Sequence, residues 1–268
     1  MQLYIKEGIS LFFWAATLEE EPLATIGCRD KTFANIEALI FDKDGTLEDS
    51  QTFLRTVGQQ RSRLIDAKVP GVGYPLLMAF GIAENTLDPT GLMAVGSRRE
   101  NEIAAAAYVA ETGRSWFDAT VIAKAAFDEV DQHFQKIAET SPLFAGSLEV
   151  LKFLQDAGLK LAILSADSTE GVKAFVERHQ LGDYIQLSMG VEQEQTKPDP
   201  ALFVQTCQAL GVDPAFTLMV GDSAGDIEMA QQAGAAGTMG ISWGPTAANL
   251  EKADVVISQL DEIHILPA

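Results

Sequence analysis

The chain is poor in the residues that mark several common roles. Its two cysteines, Cys28 and Cys207, lie far apart and match no metal-binding or redox spacing, so reduced thiols are expected rather than a disulfide framework. Its three histidines, His133, His179 and His264, are scattered and read as structural or surface groups. Cations are scarce, with 19 Lys and Arg against 38 Asp and Glu and a formal net charge of −19. Such a protein repels nucleic acid and anionic lipid, and neither is expected as a partner. Long apolar runs are missing too. The stretch "ISLFFWAA" is too short to span a bilayer, and its flanks, Lys6, Glu7 and "LEEEP", make a poor signal peptide. A cytoplasmic protein is expected, with no internal repeat and no low-complexity tract. Any anionic substrate then needs a local island of positive charge or a metal ion.

What is present is ample core material, 47% hydrophobic residues in 268. From about residue 149 onward, helical and extended patterns alternate. "SLEVLKFLQDAG" reads as a helix ended by Gly158, and "LKLAILSA" as a strand. "GVKAFVERHQLG" is a helix and "YIQLSMG" a strand. "KPDPALFVQTCQALG" is a helix with Asp199 as N-cap and Pro200 at its first position. "FTLMVGD", "AAGTMGI" and "ADVVISQL" are strands, with the helix "AGDIEMAQQAG" between the first two. Strands of this continuous apolar character between helices mean a parallel sheet buried on both faces. "IEALIF", residues 36–41, belongs to the same sheet, and residues 51–143 interrupt it with helical patterns.

The expected fold is α/β, a Rossmann-like three-layer parallel-sheet core with an inserted α-helical cap. The core takes residues 36–50 and 144–268, the cap 51–143, and an N-terminal extension, 1–35, packs on the core. In that extension "LATIGCR" is expected to form a hairpin beside "FANIEALIF" at the sheet edge. In the cap, Phe117, Val121, Ala125 and Phe127 are expected on one apolar stripe. "VPGVGYP" and "ENTLDPTG" read as turns between cap helices.

Ligands of open α/β sheets bind beyond the carboxyl ends of the strands. There the first core strand presents Asp42 and Asp44, the second Ser165, a loop after the third Lys197, and the fourth Asp222 with Asp226 four residues on. Singly, each has a structural reading: a turn at Asp44–Gly45, a cap at Ser165, a solvated Lys197, an N-terminal cap in "GDSAGD". Jointly they describe a site. Crowded carboxylates suit a hard cation such as Mg²⁺. One carboxylate can attack phosphorus, and the second, pointing the same way along an extended strand, can act as general acid. The hydroxyl, the ammonium and the N–H groups of the Gly45–Thr46 turn can hold phosphoryl oxygens.

"DKDGT", "LSADS", "KPDP" and "GDSAGD", in this order, closely resemble the four motifs of the haloacid dehalogenase-like hydrolases. The inserted helices resemble those of the phosphoglycolate phosphatase and β-phosphoglucomutase branch. The resemblance implies Asp42 as nucleophile and Asp44 as general acid and base. It implies phosphate binding by Gly45, Thr46, Ser165, Ala166 and Lys197, and Mg²⁺ held by Asp42, Asp222 and the backbone carbonyl of Asp44. Asp226 would be an outer partner. The implied function is a Mg²⁺-dependent phosphatase of a small phosphorylated metabolite. The alternatives are a phosphomutase of the β-phosphoglucomutase type or a non-catalytic binding protein. A dehalogenase needs no acid at Asp44, which disfavours that chemistry here. In the cap, Arg98 and Arg99 are candidates for a second anionic group of the substrate, and "VPGVGYP" is the next candidate for substrate contact. No residue pattern sets an oligomeric state.

Overall fold

The computed structural model describes residues 23–134, 141–191, 195–243 and 249–267. Three strands open the described chain: β1 (Ala24–Cys28), β2 (Lys31–Ile36) and β3 (Ala38–Phe41). Helices α1 (Gln51–Lys68) and α2 (Gly73–Ala79) follow, then a small hairpin of β4 (Ile82–Ala83) and β5 (Thr86–Leu87). Next come α3 (Leu92–Val95), α4 (Arg98–Glu111), α5 (Trp116–Phe134) and α6 (Ser147–Asp156). Strands and helices then alternate through β6 (Lys160–Leu164), α7 (Thr169–Arg178), β7 (Leu187–Met189), α8 (Pro200–Leu210), β8 (Thr217–Gly221), α9 (Ala224–Gln232) and β9 (Gly237–Ile241). The last strands are β10 (Val255–Ile257) and β11 (Ile263–Leu266).

The main sheet has six strands in the order β10-β9-β8-β3-β6-β7, all parallel. Its strands are short and largely apolar because both faces are covered. Leu39 and Phe41 of β3, Leu161 and Ile163 of β6, and Leu218 and Val220 of β8 enter one core cluster. The residues between them, Ile40, Ala162 and Met219, enter the cluster on the opposite face. This period of two is the pleat of a strand buried on both sides. The helix signals match those expected. Asp199 caps α8 by accepting from the Ala201 N–H at 2.9 Å, with Pro200 in the first position, and Gly158 sits at φ +85 beyond α6. The inserted helices have a separate core of their own, built around Ile65, Leu76, Phe80, Val109 and Phe127.

Four sequence expectations need correction. On α5 the buried face carries Ala119, Ala123, Ala126, Phe127, Val130 and Phe134. Phe117 (74% exposed), Val121 and Ala125 lie two residues out of phase with Ala119, Ala123 and Phe127, about 200° round the helix. Alanine at the buried positions lets α5 approach its neighbours closely, and summed hydrophobicity does not register that. "VPGVGYP" is only half loop, since α2 starts at Gly73. "YIQLSMG" yields only three strand residues, because Leu181–Tyr184 form a turn ahead of it. The hairpin of β1 and β2 does form, from Ala24↔Ile36 to Cys28↔Lys31, but not at the edge of the main sheet. It pairs with β11, a strand beyond the expected last one, in a separate antiparallel sheet of order β11-β1-β2. The apolar "ISLFFWAA" lies outside the described residues.

A carboxylate pins that second sheet. Arg29, at the hairpin tip with φ +52, pairs with Glu262, which also accepts from the Ser258 and Gln259 N–H groups at 2.7 and 3.1 Å. The Arg29 hydrogen bond first, and those N–H groups after it, hold the Glu262 carboxyl down at about 2, below the ordinary 4.5. A depressed carboxyl contributes stability above its unfolded value and loses it as pH falls through the folded one. The stability advantage of the wild type over Glu262→Gln is therefore expected to be full at about pH 5 and largely gone at about pH 2. Urea midpoints of the two proteins across that window test this, and an advantage independent of pH would refute it.

Candidate active site

The site starts from strand register. Phe41, the last residue of β3, is level with Ile163 of β6 on one side and Val220 of β8 on the other. The Asp42 N–H continues the ladder, donating to the Val220 carbonyl at 2.9 Å. The chain after β3, after β6 and after β8 therefore leaves the sheet at one edge. β3 lies between β6 and β8, where the direction of winding reverses and open α/β sheets bind ligands.

At that edge the carboxylates of Asp42, Asp222 and Asp226 each offer an oxygen within 4.8 Å of the others. The Lys197 ammonium sits among them, 2.5 Å from Asp42 Oδ1 and 2.6 Å from Asp226 Oδ1. Asp226 also belongs to the start of α9. In a reciprocal capping box its Oδ2 accepts from the Ser223 N–H and hydroxyl at 3.2 and 2.6 Å, and Ser223 Oγ accepts from the Asp226 N–H. One oxygen thus starts a helix while the other faces the site. Asp226 thus caps α9, as one reading of "GDSAGD" has it, and also stands in the acidic cluster at the sheet edge.

Burial, first of all, pushes the Asp42 carboxyl up to about 7; Lys197 pulls it down, and Asp226 and Asp44 push it up. Asp222 is raised well above the ordinary 3.8, by burial and then by Asp42 and Asp226. Burial works against the Lys197 charge, but Asp226 and Asp42 outweigh it and raise its pKa. Three carboxylates against one ammonium leave negative charge in a dry place. A donor set of carboxylate oxygens, with no sulfur or imidazole, fits a hard cation such as Mg²⁺.

The "DGT" turn shapes the rim. Gly45 has φ +78, and a Cβ there would come within 2.0 Å of Asp222 Oδ2. Only glycine gives this backbone conformation and leaves Asp222 its place. The Gly45 N–H, expected to hold phosphate, instead donates to the Glu48 carbonyl at 2.9 Å, because the chain closes a tight turn there. Thr46 Oγ1 is buried and has no hydrogen-bond partner among the described residues. Ser165 is buried after β6, and its hydroxyl accepts from the Asp167 N–H at 3.1 Å. Ala166 follows it on the wall of a neighbouring cavity.

Asp44 does not point with Asp42. β3 stops at Phe41, so the extended geometry that would align the two carboxylates is already lost at the Lys43 bend. Asp44 instead faces Lys43, whose ammonium lies 2.9 Å from it and 3.0 Å from Asp167. Both Lys43 and Asp44 line a cavity of about 750 Å³ between the sheet edge and the inserted helices. Glu48, buried on its floor, is pushed up to about 7, first by burial and then by Asp44, with Lys43 and Arg178 opposing. His179, not a surface group, lies 3.4 Å from Glu48.

Of the cap candidates, Arg98 lines the cavity but is engaged by Asp131, Glu102 and Asp128, each at 2.6 Å. Arg99 is exposed and off the cavity wall, and no residue of "VPGVGYP" is on that wall either. The wall contains cap residues that the sequence did not single out, Arg61, Asn101 and Asp131. One signal was available: Arg61 sits on the buried side of α1, between Val57 and Ile65 at spacings of four, where a guanidinium is out of place.

Asp222 provides a test of this charge balance. An acid whose folded pKa is raised costs stability as pH climbs above its unfolded value, and costs nothing below it. Metal-free Asp222→Asn is expected to melt above the wild type at about pH 8 and to converge with it at about pH 4. Calorimetry in EDTA gives both midpoints; an equal or lower midpoint at the higher pH would contradict the assignment.

The model of the haloacid dehalogenase-like hydrolases matches residues 36–234. A phosphoglycolate phosphatase of Pseudomonas syringae pv. tomato is 27% identical over 208 residues, which cover 74% of this chain and 66% of the relative. The phosphoglycolate phosphatase of Chromobacterium violaceum is 26% identical over 236 residues, 87% of this chain and 96% of the relative. A probable phosphatase, IndB, of Dickeya dadantii is 34% identical over 125 residues, 45% of this chain and 54% of the relative. The chain thus spans about two thirds of the first of these relatives and about half of the last. A crystal structure described as a predicted phosphoglycolate phosphatase, from Haemophilus somnus, superposes with a TM-score of 0.63 at 20% identity, covering 84% of this chain and 95% of that one. A putative β-phosphoglucomutase from Thermotoga maritima superposes at 0.55 and 20% identity, over 84% and 96%. Together with the parallel sheet and the acidic cluster at its edge, the match over residues 36–234 shows that the chain belongs to the haloacid dehalogenase-like hydrolases.

Proposed function

We propose that the protein is a Mg²⁺-dependent phosphatase of a small phosphomonoester that works through an aspartyl-phosphate on Asp42. The observation that carries this reading is the placement of the Asp42 carboxylate. It emerges from the central strand, within hydrogen-bond reach of Lys197 and beside Asp222 and Asp226. In this reading Asp42 attacks phosphorus, and the bond to the leaving oxygen breaks. Asp44, on the wall of the cavity that would receive the leaving group, protonates that oxygen. A water deprotonated by Asp44 then releases phosphate and regenerates Asp42. Lys197, Ser165, Thr46 and the Ala166 segment surround the phosphoryl oxygens, with the orphan Thr46 hydroxyl as a ready donor. Mg²⁺, held by Asp42, Asp222 and the Asp44 carbonyl, would offset the negative charge that otherwise keeps a phosphate away. Asp226 keeps Lys197 in line from behind.

In the same reading residues 36–50 and 144–268 form the catalytic core, 51–143 a cap over it, and 1–35 an extension. A cytoplasmic setting agrees with two buried, unpaired cysteines.

Phosphate release from a panel of small phosphomonoesters, phosphoglycolate and sugar phosphates among them, is expected to require Mg²⁺ and to stop in EDTA. Asp42→Asn is expected to lose on the order of 10³-fold or more of kcat. Release that survives in Asp42→Asn at the wild-type rate would remove the nucleophile and with it the mechanism.

A further inference from the structure

The cavity is far larger than a two-carbon phosphoester requires, since about 750 Å³ falls in the range of sites that hold drug-sized ligands. Its wall divides by chemistry. Asp44 and Lys43 face the sheet edge, whereas Phe53, Leu54, Val57, Met93 and Phe134 make an apolar stretch on the inserted helices. The rings of Phe53 and Phe134 meet edge to face, with centroids 6.1 Å apart. Such a stretch offers favourable burial to an apolar chain or ring.

Arg61 stands beside that apolar stretch. It is only 6% exposed, and its guanidinium lies over the Phe127 ring, with Cζ 4.2 Å from the ring centroid. Its sole carboxylate partner among the described residues is Asp131, at 2.7 Å, and Arg98 takes the other oxygen of that same carboxylate. Arg98 has Glu102 and Asp128 besides, and Lys43 has Asp44, Asp167 and, at 3.9 Å, Glu48. Arg61 Nε is buried with no hydrogen-bond partner among the described residues. A guanidinium with half a counter-ion and an orphan N–H, out of water on a cavity wall, is a costly arrangement that an oxyanion in the cavity would relieve.

We propose that the cap side of the cavity is a leaving-group subsite, in which Arg61 takes an oxyanion at the far end of an apolar segment lying against Phe53, Leu54, Val57, Met93 and Phe134. The substrate class is then a phosphomonoester whose alcohol carries an apolar span and a distal carboxylate or second phosphate. This rests on the phosphatase reading for its chemistry but not for its binding.

Two measurements separate the two. In the first, kcat/KM is compared for ω-phosphooxyhexanoate, hexanediol bisphosphate, hexyl phosphate and p-nitrophenyl phosphate. The wild type is expected to favour one of the two distal anions over hexyl phosphate by roughly tenfold or more, and the preferred one identifies the oxyanion. Arg61→Gln is expected to lose that preference while p-nitrophenyl phosphate is turned over within about threefold of wild type. Arg61→Lys, which keeps the charge without the planar fork, should lose less. The second measurement is calorimetric binding, in EDTA, of ω-hydroxyhexanoate and of hexanediol bisphosphate to wild type and to Arg61→Gln. Arg61-dependent binding without hydrolysis of any ester would sink the phosphatase reading and uphold the subsite. Equal kcat/KM for charged and neutral chains in the wild type, or a preference unchanged in both variants, would overturn the subsite. So would a loss in Arg61→Gln shared equally by p-nitrophenyl phosphate and the distal anions, since that marks a packing role against Phe127.

Discussion

The Lys197 ammonium between Asp42 and Asp226 is the contact on which the rest of the site depends. A parallel sheet covered on both faces delivers its strand ends into a region from which water is largely excluded, and charges there cost several kcal/mol each unless paired. Asp42 inherits this cost from its position, because β3 runs between two other strands and has no exposed side. Lys197 offsets part of it. One ammonium among three carboxylates offsets only part, and the upward push on Asp42 and Asp222 is what remains. That residue of uncompensated charge is what a hard cation at this edge would offset.

Local structure then serves the same end twice over. Asp226 divides its carboxylate between the first turn of α9 and Lys197, so the helix that packs on the sheet also fixes the ammonium. Gly45 turns the chain with a positive φ and, having no side chain, leaves Asp222 its room. Neither feature could be exchanged for a generic cap or turn residue without moving a carboxylate of the cluster.

Much of this was legible in the sequence because the α/β period is strong. "ALIF", "LAIL" and "LMVG" could only be buried strands, and the polar residue after each marked the edge. Asp199–Pro200 and Gly158 punctuated helices by backbone chemistry that tertiary contacts do not override. What failed was whatever depended on three-dimensional neighbours. The alanine face of α5 is buried because small residues admit a close partner, while the larger Phe117 and Val121 are exposed. The direction of Asp44 depended on where β3 stopped, one residue before Asp42. β11 could not be assigned to β1 because their pairing joins opposite ends of the chain. In the cap, Arg98 was conspicuous in a run of charge, yet three carboxylates satisfy it; Arg61, set among apolar positions of α1, is buried with its Nε unpartnered among the described residues.

The cavity and the carboxylate cluster are separate places, and this bears on how chemistry would be divided between them. Asp42, Asp222, Asp226 and Lys197 are not on the cavity wall; Lys43, Asp44 and Ala166 are. A phosphoryl group bridging the two would have its phosphorus near Asp42 and its leaving oxygen toward Asp44. The Lys43 bend turns Asp42 toward the carboxylate cluster and Asp44 toward the cavity, which in the proposed reading would put the two acids on opposite sides of the bond to be broken. Had β3 stayed extended through Asp44, both carboxylates would have faced the acidic cluster, and neither would have faced the cavity. The early end of the strand, which the apolar pattern could not reveal, is what separates the Asp42 carboxylate from that of Asp44.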